Sequence, residues 1–205
     1  ELGAHRARLR DRRDGLPRIA LVGYTNAGKS SLLNALCCRN PGLAVLAENK
    51  LFATLDPTTR RLSLPQTSAA PKELLITDTV GFIRELPKPL LEAFRATLEE
   101  TREADLLLLV VDLADPDWQS QLEAVHQLLD GLSCDQLRKV VANQIDRCDA
   151  SAIDAIRTLE PDVIYLSATE GTGLKGLRNW LEKQFWDGAP TPESFTQQTS
   201  FPDHG

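Results

Sequence analysis

The 205-residue chain contains no methionine and only three histidines. Its four cysteines, Cys37, Cys38, Cys134 and Cys148, show no C-x-x-C spacing and no clustered histidines. That pattern argues against a thiolate metal site and reads as incidental or buried thiols in a reducing compartment. Long apolar runs are also missing. Leu106–Val111, among the longest, is strand-sized and far short of the roughly 20 residues a membrane helix needs. The first residues are charged and no apolar segment precedes Ile19, so no secretory leader is visible. The expected location is the cytoplasm, or an organelle matrix or stroma. The missing initiator Met suggests a fragment or a processed chain. Positive charge is not in excess either: the net charge is −6, which removes bulk electrostatic attraction to nucleic acid.

What is present is a strongly alternating pattern. The hydrophobic fraction is 42%, ordinary for one globular domain with a complete core. Apolar strand-like runs occur at Ile19–Val22, Leu74–Thr77, Leu106–Val111, Val140–Ala142 and Val163–Leu166. Between them lie helical patterns around 30–38, 88–104, 117–131, 151–159 and 174–186. The last carries Leu174, Leu177, Leu181 and Phe185 on one stripe. Near-continuous apolar strands separated by helices predict an α/β fold: a doubly wound, mostly parallel sheet with helices on both faces. Ligands of such sheets bind at the carboxyl ends of the strands. Residues 61–65 and Lys72 read as an edge hairpin before the Leu74 strand. Residues 187–205 are proline-rich and polar and read as a disordered tail. Residues 5–18 hold six arginines against two aspartates, either a solvated helix end or an arm that touches RNA phosphates.

The most informative string is Gly23-Tyr-Thr25-Asn26-Ala27-Gly28-Lys29-Ser30, a complete G-x-x-x-x-G-K-S pattern between a strand and the helical Ser31–Leu36. Glycines let the loop amides converge on a β-phosphate, and the helix N-terminus adds its positive end. Lys29 can reach the β- and γ-phosphates, and the Ser30 hydroxyl can ligate Mg²⁺. Asp78-Thr-Val-Gly81 closes the Leu74 strand, placing a carboxylate near the metal and a glycine N–H near the γ-phosphate. Asn143-Gln144-Ile-Asp146 closes the Val140 strand. A carboxylate at Asp146 can accept from both N1–H and the N2 amine of guanine, donors that adenine lacks. Ser167-Ala168-Thr169 closes the Val163 strand, where the Ala168 N–H could meet the guanine O6. Thr58 and Thr59 sit in a polar loop where one hydroxyl could complete the Mg²⁺ shell when a γ-phosphate is present. Thr59 is the preferred ligand and Thr58 a close second. These residues point to GTP or GDP as ligand.

The strings Gly23–Ser30, Phe52–Arg60 and Asp78–Ile83 resemble the G domain of HflX-type GTPases. So do Leu86-Pro87, Ala93–Glu100 and Ala104–Leu106. The resemblance runs from about residue 5 to about 186. It implies a phosphate-loop GTPase fold over 18–186, with residues 1–17 ending a basic helical linker from a preceding domain. It further implies a translation-associated enzyme that binds the large ribosomal subunit and splits or rescues ribosomes; separately from the resemblance, a monomer is expected. Lys29, Thr59, Asp78 and Gly81 would be its catalytic residues, with Ser30, Thr59 and Asp78 on the metal. One departure within the G domain stands out. Gln144 replaces the family's usual Lys, which predicts weaker nucleotide binding with guanine preference kept by Asp146. Phe82 stands where Ras-like enzymes place a water-orienting Gln, which predicts slow intrinsic hydrolysis. Asn26 occupies a position whose side chain binds K⁺ in some relatives. A binding module that holds GTP or GDP and recruits a partner with little turnover is the alternative reading.

Overall fold

The computed structural model describes residues 15–37, 58–64, 72–82 and 101–187. Most of the expected linker, the part of the expected polar loop before Thr58, residues 88–100 of the helix expected over 88–104 and nearly all of the expected tail lie outside these residues, while residues 101–103 are helical as expected. The described elements run β1 (Arg18–Val22), α1 (Lys29–Cys37), β2 (Thr58–Ser63), β3 (Glu73–Asp78) and β4 (Leu106–Asp112). They continue with α2 (Trp118–Gly131), β5 (Leu137–Asn143), α3 (Ala150–Leu159), β6 (Ile164–Tyr165) and α4 (Leu174–Glu182), which ends in one π-helical turn over Lys183–Asp187.

The six strands form one sheet in the order β2-β3-β1-β4-β5-β6. All neighbours are parallel except β2, which runs antiparallel along β3. Alternate side chains of β1 face opposite ways. Ile19 and Leu21 join a core with Leu32, Leu33 and Leu36 of α1 and Leu177 and Leu181 of α4. Ala20 and Val22 join a second core with Leu122, Val125 and Leu129 of α2 and Ile156 of α3. A sheet buried on both faces needs apolar residues at every position, which is why β4 reads as an unbroken hydrophobic run. The doubly wound expectation therefore holds.

Two strands differ in extent from the sequence pattern. β5 begins three residues before the apolar run, at Leu137. Lys139 is tolerated inside it because its ammonium lies 5.1 Å from the Trp180 ring centroid, an arrangement that favours a cation over a π face. Burial there lowers the Lys139 pKa. β6 is only two residues long, although the Leu166 amide still donates to Ala142 O at 2.8 Å. Trp118 and Trp180 are core residues, and Trp186 packs edge-on against Phe185.

The packing brings Val22, Asp78, Asp112, Asn143 and the residues after Tyr165 to one edge of the sheet. In register, Leu21 lies beside Asp78 and Asp112 beside Asn143. Every chemistry-bearing motif leaves its strand at this edge.

Candidate nucleotide-binding site

The phosphate loop follows β1 directly. Gly23 is at φ 159°, Asn26 at 64° and Gly28 at 87°. At Gly28 a Cβ would fall 2.2 Å from Asn143 Nδ2, so only glycine passes under that side chain. At Gly23 a Cβ would lie 2.2 Å from Val110 O. The loop is also tied to the segment after β3. Phe82 N–H donates to Gly23 O at 3.1 Å, and Thr25 N–H donates to Phe82 O at 2.9 Å. The Thr79 hydroxyl donates to Leu21 O at 2.5 Å. Sequence reasoning assigned Thr79 no role; it pins the start of the Asp78-Thr-Val-Gly81 segment against β1.

Lys29 is 6% exposed. Its ammonium donates to the carbonyls of Gly23 at 3.1 Å and Tyr24 at 2.8 Å. Desolvation lowers its pKa to about 8, against the opposing pull of the Asp78 carboxylate. The lysine is thus held inside the loop, where phosphate oxygens would replace two carbonyls as its acceptors. Gly81 packs against the same place. A Cβ there would lie 2.8 Å from Thr25 Cα and 3.0 Å from Lys29 Nζ.

Ser30 Oγ donates to Asp78 Oδ2 at 2.5 Å, and Asp78 is fully buried. A hydroxyl and a carboxylate at the mouth of a phosphate loop form an oxygen donor set that suits Mg²⁺, with phosphate and water completing the octahedron. The two candidate threonines separate across the β2–β3 ladder. Thr58 stands opposite Asp78 and Thr59 opposite Thr77. Directly opposed residues of an antiparallel pair share a face, so Thr58 lies on the Asp78 face. The Thr59 hydroxyl is paired with the Thr77 hydroxyl at 2.8 Å. In this arrangement Thr59 would have to leave Thr77 to reach a metal.

The base side is built from the ends of β4, β5 and β6. Asn143 is 2% exposed. Its Nδ2 donates to Ala27 O at 3.0 Å, and its Oδ1 accepts from Ala168 N–H at 3.0 Å. One side chain therefore ties the phosphate loop to the Ser167–Thr169 loop, a coupling that no sequence spacing reveals. The Ala168 amide, expected to face a base oxygen, is here held by Asn143. Ser167 is buried and its hydroxyl accepts from Glu170 N–H at 3.1 Å. Asp146 and Thr169 are exposed, as is Asn26, and Ser31 is half-buried.

Gln144 holds a left-handed backbone at φ 61°. Its Nε2 donates to Asp112 Oδ2 at 2.5 Å, and its Oε1 accepts from Arg147 Nη1 at 2.7 Å. Burial pushes the Asp112 carboxyl pKa up, while the Ala114 N–H bound to it pulls the other way. Asp112 and Arg147 were missed in the sequence; a carboxylate closing the β4 run was the available signal for the first.

The phosphate loop with its buried Lys29, the Ser30–Asp78 oxygen pair and the Asn143–Asp146 motif, all on one edge of a mostly parallel sheet, define the class as a phosphate-loop GTPase. The profile of the family described as "50S ribosome-binding GTPase" matches residues 18–144. The chain belongs to that family, as a G domain of the HflX type. It is 48% identical over 182 residues to GTPase HflX of Lacrimispora saccharolytica, covering 87% of this chain and 41% of that protein. It is 49% identical over 171 residues to GTPase HflX of Gluconacetobacter diazotrophicus, covering 83% of this chain and 36% of that protein. The chain thus spans well under half the length of these relatives. Among solved structures, Era in complex with MgGDPNP and nucleotides 1506–1542 of 16S ribosomal RNA matches with a TM-score of 0.66 and 26% identity. That match covers 86% of this chain and 59% of the other. Among the described residues, no helix is long and apolar enough to cross a membrane.

Proposed function

We propose that this chain binds and hydrolyses GTP as the G domain of an HflX-type GTPase, a monomer that works on the large ribosomal subunit to split or rescue ribosomes. The observation that carries the reading is Asn143, which joins the phosphate loop at Ala27 to the base-side loop at Ala168. A site with both ends so coupled suits a ligand that carries a triphosphate and a base together.

In the mechanism, Lys29 transfers its hydrogen bonds from the Gly23 and Tyr24 carbonyls to the β- and γ-phosphate oxygens. Its pKa of about 8 leaves it charged at neutral pH, and a bound phosphate favours that charge further. Ser30 and Asp78 would hold Mg²⁺, joined by Thr58 or Thr59, and a bound Mg²⁺ supplies neutralisation of charge developing across the β,γ-bridge. The Gly81 amide would approach the γ-phosphate. Asp146 would accept from guanine N1–H and N2, with Gln144 packed near the base.

Phe82 is 3% exposed and has no group to orient water. Intrinsic turnover should therefore be slow. Two sources of help fit the site: K⁺ held at Asn26, whose side chain is exposed on a left-handed loop residue, and an outside group brought in by the ribosome. The same Phe82 favours the second reading, a switch module with little turnover of its own.

The test is GTP hydrolysis in K⁺ and Na⁺ buffers, with and without purified large ribosomal subunits. Stimulation by subunits of tenfold or more supports the ribosomal reading, and a K⁺-dependent rate lost in Asn26→Ala supports the cation. No hydrolysis under any condition favours the binding module.

A further inference from the structure

Arg147 follows the base-reading carboxylate directly, and its guanidinium is the obvious partner for Asp146. It is held elsewhere. Its Nη1 donates to Gln144 Oε1 at 2.7 Å, and its backbone N–H donates to Gln144 O at 3.0 Å. The opposite end of the same amide is fixed by Asp112, which accepts from Gln144 Nε2 at 2.5 Å. Flipping the amide would set its oxygen against a carboxylate and its NH₂ against a guanidinium, two repulsions in place of two charge-assisted bonds. Asp112 is itself anchored by Ala114 N–H at 2.9 Å on Oδ1. The chain from Ala114 through Asp112 and Gln144 to Arg147 therefore has one stable direction. Asp146 stays exposed, and no hydrogen bond or ion pair of its carboxylate occurs among the described residues.

We propose that Asp112, Gln144 and Arg147 form a clamp that keeps the Arg147 guanidinium off Asp146, leaving that carboxylate open to read the base. Asp112 and Arg147 are positioning residues in this scheme and touch no ligand. The clamp also gives Gln144 a purpose suited to this neighbourhood. A lysine at 144 would still satisfy Asp112, but its ammonium would repel Arg147 towards Asp146. An amide satisfies both, because one end donates and the other accepts. The inference rests on Asp146 being the residue that reads guanine N1–H and N2.

Inosine diphosphate lacks the N2 amine, so the ratio of GDP to IDP affinity reports how well the Asp146 carboxylate is presented. The experiment measures this ratio by calorimetry for the chain, Gln144→Met, Arg147→Ala, the double variant, and Asp146→Asn. Methionine keeps the apolar stem and removes the amide acceptor. Gln144→Met should lower the GDP:IDP ratio roughly three- to tenfold, because the freed Arg147 pairs with Asp146. Adding Arg147→Ala should restore most of the ratio, since nothing then competes for the carboxylate. A merely structural role for Gln144 would leave the loss in place in the double variant. An unchanged ratio in Gln144→Met, or no recovery on adding Arg147→Ala, overturns the clamp. If Asp146→Asn also leaves the ratio as in the parent chain, the base-reading assignment has failed first, and the two failures are told apart. Thermal unfolding of each nucleotide-free variant confirms that the proteins compared are folded.

Discussion

Removing the Asn143 side chain should uncouple the two halves of the site. Asn143→Ala deletes two buried hydrogen bonds, to Ala27 O and from Ala168 N–H, each 3.0 Å long. Each is worth about 1 kcal/mol net, and a polar group left buried without a partner costs a further 1–3 kcal/mol. The expected loss is ~3 kcal/mol of nucleotide-free stability. For a domain of this size that is a fall in Tm of roughly 6–12 °C. The same side chain explains why residue 28 must be glycine, because a Cβ there would lie 2.2 Å from Asn143 Nδ2. Gly28→Ala therefore carries both a steric collision and the strain of φ 87°, and strain of this kind costs about 1–3 kcal/mol. On the Asn143→Ala background the collision disappears and only the strain remains. Gly28→Ala should then cost at least ~1 kcal/mol less than it does in the parent chain. Urea unfolding of the four proteins of this cycle measures both quantities. A loss below about 0.5 kcal/mol for Asn143→Ala, or strict additivity of the two substitutions, would refute the cross-brace.

Gly81→Ala places a methyl 2.8 Å from Thr25 Cα and 3.0 Å from Lys29 Nζ. Because the nearest atom is backbone, the loop must shift, and affinity for a GTP analogue should fall tenfold or more (about 1.4 kcal/mol); unchanged binding by fluorescence titration would contradict the packing. Lys29 gives a pH signature. Its folded pKa of about 8 lies below the ordinary 10.5, so between pH 8 and 10.5 the unfolded chain binds more protons. The cost of burying the charge is then full below pH 8 and is relieved as pH rises through that window. Relative to Lys29→Met, the nucleotide-free chain should gain ~2 kcal/mol of stability between pH 7.5 and 9.5. Urea midpoints that run parallel for the two proteins would exclude the shift.

Much of this site is written in local chemistry. The phosphate loop is legible because glycine, lysine and serine at fixed spacing act through backbone conformation and a helix N-terminus, both set within a dozen residues. β4 is legible for a similar reason, since a strand covered on both faces must be apolar throughout. Asp78, Asn143 and Ser167 could be placed at strand ends because each follows such a run. Lys139 and Leu137 were missed as strand residues, because their place in β5 depends on Trp180 and on the partner strand rather than on their own polarity.

Contacts between strands lie beyond a sequence reading of this kind. Nothing within residues 58–59 distinguishes two adjacent threonines; the antiparallel register with β3 sets Thr58 opposite Asp78 and Thr59 against Thr77. Asn143 reads as part of a base motif, yet its two partners lie 116 and 25 residues away along the chain. Gln144 reads as a loss of charge until Asp112, 32 residues earlier, and Arg147 appear at either end of its amide. The sequence by itself determined which groups this protein carries and the order in which its strands deliver them to one edge. Tertiary structure alone decided which of those groups face one another, because register and sheet order juxtapose side chains that local conformation cannot bring together.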